Sequence, residues 1–402
     1  MIRLGCFDSD LGDASCQAYL KEVEQITRLP LSTIATGLDK VSLEKYLPDT
    51  DQSMSVAQVQ DGLKSIGFFP GGEIDGICGY RTQSAIRLFQ EYVRSVEKAD
   101  AGLVPDGRFG PRSQAHLKRW MDGDLRSEWT PTIERWRAGT LGQTEYTAWL
   151  ALLEKVKQRY LASPNRMLEM VNAFGGASGT RKVAQWDFRP LENIHLIGIR
   201  RDEFNGKSDD IFVLLIKGLV FKFQESTEPG VMEDAAGYPF LVQGQHDYHF
   251  GWHKKTYLAL RPQSTVLVVR SKSDNRLDDA DLKNGLEANG SINIHWGGRG
   301  LGGDVKDWSA GCQVITGSVY IDPEDELIEC SRFAAVRSSD PMIDPSKTRG
   351  AYNVLVDLVT ALSSDQVPTV KYTLLIEPDL EPDPALRQKL VDARNRVMAL
   401  VT

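Results

Sequence analysis

Apolar residues recur at two different periods along the chain, and the change of period divides it. Val56, Val59, Leu63 and Ile66 lie three or four positions apart, and Ile86, Phe89 and Val93 repeat that spacing, which predicts helices. The run EYTAWLALLEKVKQRYL at 145–161 is also helical in pattern, and Pro164 marks its break. Residues 125 to about 173 therefore read as helices that connect or brace. From Asp210 the character changes to strands: IFVLLI, a Lys217-Gly218 turn and LVFKFQ predict a hairpin, and TVLVVR and SINI follow. TVKYTLLIE at 369–377 alternates as one more strand, and the acidic, proline-bearing PDLEPDP leads into a terminal helix. The expected fold class is α+β and multidomain.

An internal echo sharpens the first half. DGICGYRTQ from Asp75 and DGRFGPRSQ from Asp106 share the pattern D-G-x-x-G-x-R-[TS]-Q, thirty-one residues apart. Asp-Gly supplies a turn, the second glycine permits a positive φ, and Thr82 or Ser113 is placed to cap the helix that follows. The result is a small helical module over about 53–122. The full division expected is an N-terminal segment 1–52, this module, a helical connector 123–204 and a β-rich domain 205–402.

Composition narrows the function classes. At 402 residues the chain has room for two or three domains. A net charge of −8 and a pI near 5.4, with no basic block, exclude a polyanion-binding surface, so nucleic acid is not an expected partner. No run of eighteen apolar residues is present to insert in a membrane. MIRLGCFDSDLGDASC at the start lacks the apolar stretch of a secretory signal. The five cysteines, Cys6, Cys16, Cys78, Cys312 and Cys330, are an odd count, so at least one stays unpaired.

INIHWGGRGLGGDVKDWSAGCQVITG, residues 292–317, holds the candidate chemistry. A nucleophilic cysteine needs a histidine to take its proton and backbone N–H groups to hold the oxyanion. His295 ends the SINI strand, and Ala310 and Gly311 let main-chain amides approach a carbonyl ahead of Cys312. Equally, Cys312 reads as a small buried hydrophobe. A rival constellation is QHDYHFGWH, where His246, His249 and His253 at helical spacings would align for zinc. Gly244 and Gly251 bracket that run and aromatics interleave it, which reads instead as a strand and loop beside the cysteine.

Two resemblances bear on these alternatives. VQDGLKSIGFFPGGEIDGICGYRTQSAIRLFQ followed by GLVPDGRFGPRSQAHLKRW resembles the three-helix peptidoglycan-binding domain of bacterial cell-wall enzymes, with EYVRSVEKADA inserted before the second turn. His295 followed by Ser309-x-Gly311-Cys312 is similar to the signature of the L,D-transpeptidase catalytic domain, and STEPG at 226–230 to its upstream hairpin. That second resemblance spans about 205–345. It departs at Ala310, where the family often has histidine, and at Gln313 and Val314, where it has arginine or asparagine.

The resemblances imply a fold of helical module, connector and L,D-transpeptidase-like domain, and a cysteine enzyme of peptidoglycan that needs no cofactor and no metal. Cys312 is then the nucleophile and His295 the general base, oriented by a backbone carbonyl near Trp296. Ser309 belongs to the motif, and the N–H groups of Gly311 and Cys312 hold the oxyanion. Trp296, Arg299, Trp308 and His253 are the substrate contacts there, His253 standing in for the histidine absent at 310. Asp75, Gly76, Gly79 and Arg81 are the contacts in the module. Peptidoglycan is the expected partner and the periplasm or cell wall the place of action. Delivery is expected through a lysis programme or a signal-independent secretion machine, with an immunity protein as a further partner. The alternatives are an inactive wall-binding scaffold and, third, a zinc peptidase.

Overall fold

The computed structural model describes residues 1–28, 54–189, 194–201, 206–230, 236–254, 257–272, 275–298, 300–305, 308–330, 349–363 and 369–401, apart from the side chains of Asp13, Ser15 and Cys16. Residues 29–52 of the expected N-terminal segment lie outside the described residues, as does Arg299. The chain divides into two compact units, one of Met1–Glu134, Phe250–Ala259 and Ile328–Pro368, the other of Arg135–His249, Leu260–Leu327 and Thr369–Thr402. The units are therefore discontinuous in sequence, unlike the four successive segments expected. No helix among the described residues is long and apolar enough to cross a membrane.

The first unit is helical, with α1 (Asp13–Thr27), α2 (Val56–Ser65), α3 (Tyr80–Glu91) and α4 (Pro111–Asp122). Ser55 and Gln58 form a reciprocal capping box at the start of α2. The buried Phe68 anchors the core, its ring 5.3–5.8 Å from Phe89, Tyr92, Trp120 and Trp129 in edge-on or tilted contacts. The inserted EYVRSVEKADA opens as a π-helical turn, Tyr92–Val96, that prolongs α3.

Residues 250–259 and 351–362 join this unit for a packing reason. The apolar helix Ala351–Leu362 is buried along α3, and its Asp357 pairs with Arg87 at 2.7 Å. Tyr352 donates to the Leu258 carbonyl at 2.7 Å and meets the Tyr257 ring at 6.0 Å, while Trp252 meets Tyr80 at 6.4 Å.

The repeated turns differ from expectation in an informative way. Gly76 and Gly107, the first glycines, take φ of +73°, whereas Gly79 and Gly110 do not enter the left-handed region. Thr82 and Ser113 lie within their helices and do not cap them. Each instead meets a buried glutamine. Gln60 accepts the N–H groups of Asp75 and Gly76 at 3.1 and 2.9 Å and donates to Asp75, Ile77 and Thr82. Gln90 does the same for the second turn, accepting Gly107 N–H at 2.9 Å and donating to Arg108 and Ser113.

The second unit carries most of the strands, while the end of β5, the start of β6 and the end of β11 fall in the first. In chain order the strands are β1 (Ile194–Arg200), β2 (Asp210–Ile216), β3 (Leu219–Ser226), β4 (Tyr238–Leu241), β5 (Gly244–His253), β6 (Tyr257–Pro262), β7 (Val266–Ser271), β8 (Glu287–Asn289), β9 (Ile294–Trp296), β10 (Gln313–Ile321), β11 (Leu327–Glu329) and β12 (Thr369–Ile376). Nine form one sheet ordered β11-β10-β3-β2-β1-β12-β5-β6-β9, and a further β9–β10 pairing closes eight of them into a barrel. The predicted hairpin is there as β2–β3, with Lys217 and Gly218 both at positive φ. The expected helical connector ends in strand β1, since the helices stop at Ala173.

Side chains alternate across β1 and β2. Ile197, Ile199, Ile211, Val213 and Leu215 face outward into a cluster with Trp149, Leu153 and Val156 of the helix Glu145–Ala162 and Leu386 and Leu390 of the helix Pro384–Met398. The intervening residues point inward, where Phe212 and Tyr372 meet edge-on at 5.5 Å. QHDYHFGWH is strand throughout, so His246 faces away from His249 and His253. Both His246 nitrogens are engaged, with Thr180 Oγ1 at 3.0 Å and Val242 O at 3.1 Å, so the zinc constellation is not assembled.

Gln60→Ala strips two turn N–H groups of their acceptor and is expected to lower stability by about 1–3 kcal/mol, with Gln90→Ala giving a loss of similar size. Urea unfolding midpoints check this; an unchanged midpoint for both would deny the glutamines their keying role.

Candidate functional site

Two sites are built from the sequence-predicted residues, one in each unit. In the helical module, Asp75 accepts Ile77 N–H at 2.9 Å, so its carboxylate and Gly76 shape the turn. Arg81 is buried, lies 5.6 Å over the Phe69 ring and donates to the Gly71 and Ser363 carbonyls at 3.0 and 2.9 Å. Gly79 is required by a neighbour: a Cβ there would lie 1.3 Å from a carboxylate oxygen of Glu22 on α1. Glu22 accepts Arg81 N–H at 3.2 Å at the start of α3, where the positive end of the helix favours a carboxylate. A cavity of about 280 Å³ opens beside it, walled by Lys21 and Glu22 of α1 and by Phe69, Glu73, Asp75 and Arg81.

Desolvation, only partly offset by the Arg81 N–H, pushes the Glu22 carboxyl up to about 7 from 4.5. A carboxyl raised on folding contributes stability present below its unfolded value and lost as pH rises through the folded one. Glu22→Gln keeps the acceptor and removes the titration. Its stability relative to the parent chain should therefore rise as pH climbs from about 4.5 to about 7; unfolding midpoints measured across that window check the sign.

In the barrel unit, β9 and β10 run parallel, with His295 opposite Val314 and Gln313 opposite Ile294. A parallel neighbour must be reached by a crossover, and residues 297–312 make it. The spacing of His295 and Cys312 is thus the length of one crossover. Cys312 immediately precedes β10, two positions before Val314, the residue paired with His295. His295 is 3% exposed and its Nδ1 lies 2.8 Å from the Trp296 carbonyl. A carbonyl only accepts, so Nδ1 bears a proton, and the neutral form of the ring then has its lone pair on Nε2.

Cys312 is partly exposed, whereas Cys6, Cys78 and Cys330 are buried. Its Sγ donates to Ser291 O and accepts Asn293 N–H, both at 3.4 Å. Ser309 Oγ donates to the Cys312 carbonyl at 2.6 Å and accepts Gly311 N–H at 3.0 Å. The N–H assigned to the oxyanion at Gly311 is accordingly engaged with the serine in this conformation. STEPG abuts the same loop, with Gly230 donating to Ser309 O at 2.7 Å and Thr227 bound to Asp210 by both N–H and hydroxyl. Trp308 is 40% exposed, and its ring meets the buried Trp296 at 5.0 Å, giving an apolar ledge. His253 belongs to the other unit, where its ring lies 5.3 Å from Tyr257.

Sequence reasoning missed Glu22, Gln60 and Gln90 in the module, and Asn293, Tyr248 and Tyr372 around the cysteine. The glutamines had a signal, since each lies fifteen or sixteen residues before its Asp-Gly pair. The tyrosines had none, because only barrel closure brings β5 and β12 to β10.

Residues 52–117 match the family described as a putative peptidoglycan binding domain. That span covers α2, α3 and both repeated turns, and the match supports a peptidoglycan-binding role for this part of the chain and an association with the cell wall. No curated protein and no solved structure matches the chain.

Gly311 sits at φ +123°, and a Cβ there would lie 2.7 Å from Pro239 Cγ and 2.8 Å from its carbonyl oxygen. Gly311→Ala is therefore expected to cost about 1–3 kcal/mol and to change the rate at which iodoacetamide labels Cys312. Labelling at the parent rate with unchanged stability would show that the loop tolerates a side chain.

Proposed function

We propose that the barrel unit is a cysteine acyltransferase of the L,D-transpeptidase kind, acting on the stem peptides of the polymer that the module binds. The observation that supports this reading is the β9–β10 pairing, which sets His295 opposite Val314, two residues from Cys312, together with the His295 Nδ1–H bond to the Trp296 carbonyl, which leaves Nε2 as the base. Nε2 takes the Cys312 proton as the sulfur leaves the Ser291 carbonyl, while the Asn293 N–H goes on donating to the developing thiolate. The thiolate adds to the carbonyl of the L-centred diamino acid. The resulting oxyanion is received by N–H groups of the 309–312 loop. As the C–N bond breaks, the imidazolium gives its proton to the departing amine of the terminal D-residue, leaving a thioester. An acceptor amine then yields a cross-link, or water yields a trimmed stem. Trp308 supplies an apolar surface to the stem peptide.

A second reading is an inactive wall-binding scaffold, favoured by the engagement of Gly311 N–H with Ser309.

Purified protein incubated with sacculi and followed by mass spectrometry of the muropeptides separates the two. The expected result is loss of a terminal D-residue, with cross-linked or trimmed products. Cys312→Ala should abolish turnover with the fold retained, and His295→Ala should slow it by about 10²- to 10⁴-fold. A muropeptide profile identical for parent and Cys312→Ala would leave the scaffold as the better account.

A further inference from the structure

The sulfur of Cys312 rests between two backbone groups, Ser291 O and Asn293 N–H, each 3.4 Å away. What holds those groups comes from inside the barrel. Tyr248 of β5 donates its hydroxyl to the carbonyl of Ile292, the residue between them, at 2.9 Å. Gln313, the first residue of β10, donates its own N–H to Asn293 O at 2.9 Å. Its side-chain amide donates to Gly311 O at 3.2 Å, and its Oε1 accepts the Tyr372 hydroxyl from β12 at 3.1 Å. The backbone on both sides of the sulfur, at 291–293 and at 311, is thereby tied to side chains of the interior.

Those side chains are themselves fixed. Tyr248, Gln313 and Tyr372 are 0% exposed. The Tyr372 ring meets Phe212 and Tyr248 edge-on at 5.5 and 5.7 Å and stacks on His246 at 6.2 Å. Burial pushes both phenols well above their ordinary value, with the charge of Cys312 adding at Tyr248 and that of Glu225 at Tyr372. Both hydroxyls therefore keep the proton that they donate.

We infer that Tyr248, Gln313 and Tyr372 are positioning residues for Cys312, holding from the barrel interior the carbonyl and N–H between which its sulfur sits. The inference rests on the proposed role of Cys312 as nucleophile. The physical reason is an imbalance in the sulfur's surroundings. A thiolate is stabilised by the Asn293 N–H and repelled by the Ser291 carbonyl, so small displacements of 291–293 change how readily the thiol ionises. Gln313 stands where the resembled family has another residue, and its two-ended amide is suited to joining Tyr372 to the 309–312 loop.

The test is the pH profile of iodoacetamide labelling at Cys312 in the full chain, read by mass spectrometry, for Tyr248→Phe, Tyr372→Phe and Gln313→Met. Each variant is expected to shift the profile to higher pH by about one unit and to slow labelling at neutral pH about tenfold. Ile197→Val, a core change on the outward face of β1, should keep the parent profile. Parent profiles in both tyrosine variants would overturn the inference. So would an equal shift in Ile197→Val, which would assign the effect to general loosening. Should Gln313→Met fail to fold, the two single-hydroxyl deletions decide. Shifted profiles without muropeptide products from the parent chain would uphold the positioning and remove the proposed reaction, and products with unshifted profiles would do the reverse.

Discussion

The β9–β10 pairing is the constraint on which the barrel unit depends. It closes eight strands and removes the two open edges that β9 and β10 would otherwise present. Because the pair is parallel, closure also requires a crossover, and the loop at 297–312 is that crossover. One topological choice therefore sets His295 beside Val314 near the start of β10, two residues past Cys312, presents Trp308 to solvent and buries Gln313. The buried side chains of Tyr248, Gln313 and Tyr372 reach the cysteine through the backbone at 291–293 and 311.

The helical unit is organised by a different device, used twice. A buried glutamine from the preceding helix satisfies the N–H groups of an Asp-Gly turn and bonds a hydroxyl in the first turn of the next helix. The two copies are not equivalent, because α1 adds Glu22 at the first alone. Its carboxylate occupies the space beside Gly79, while a Cβ at Gly110 would meet only the Met1 side chain at ordinary contact distance. α1 lies outside the matched family span, so Glu22 and one wall of the cavity beside it come from outside that span.

Elements with one strong period were legible in the sequence. The helices carrying Val56–Leu63 and Tyr146–Tyr160, the Lys217-Gly218 hairpin and the strand at 369–376 stand where periodicity put them. AYNVLVDLVTAL was not, because an unbroken apolar run rich in valine fits a buried strand or a buried helix equally well. The turn glycines were legible as glycines and not as conformations: the left-handed residue is the one after the aspartate, and the other is small because Glu22 approaches it. At the cysteine, local sequence supplied His295, Ser309, Gly311 and Cys312, all within one crossover. Tyr248 and Tyr372 come from strands 60 or so residues away on either side and meet β10 only through closure, which local pattern does not encode.

β12 has a consequence for synthesis. It lies between β1 and β5, parallel to the first and antiparallel to the second, although it follows β5 by more than a hundred residues. Until residue 376 has left the ribosome, β1 and β5 each expose a row of unpaired backbone groups, and the cysteine loop already made has no Tyr372 to hold it. Such non-local pairing carries a large loop-closure cost and slows folding. The nascent barrel is therefore an open sheet with two unpaired edges until its last strand is made, the kind of surface on which aggregation starts.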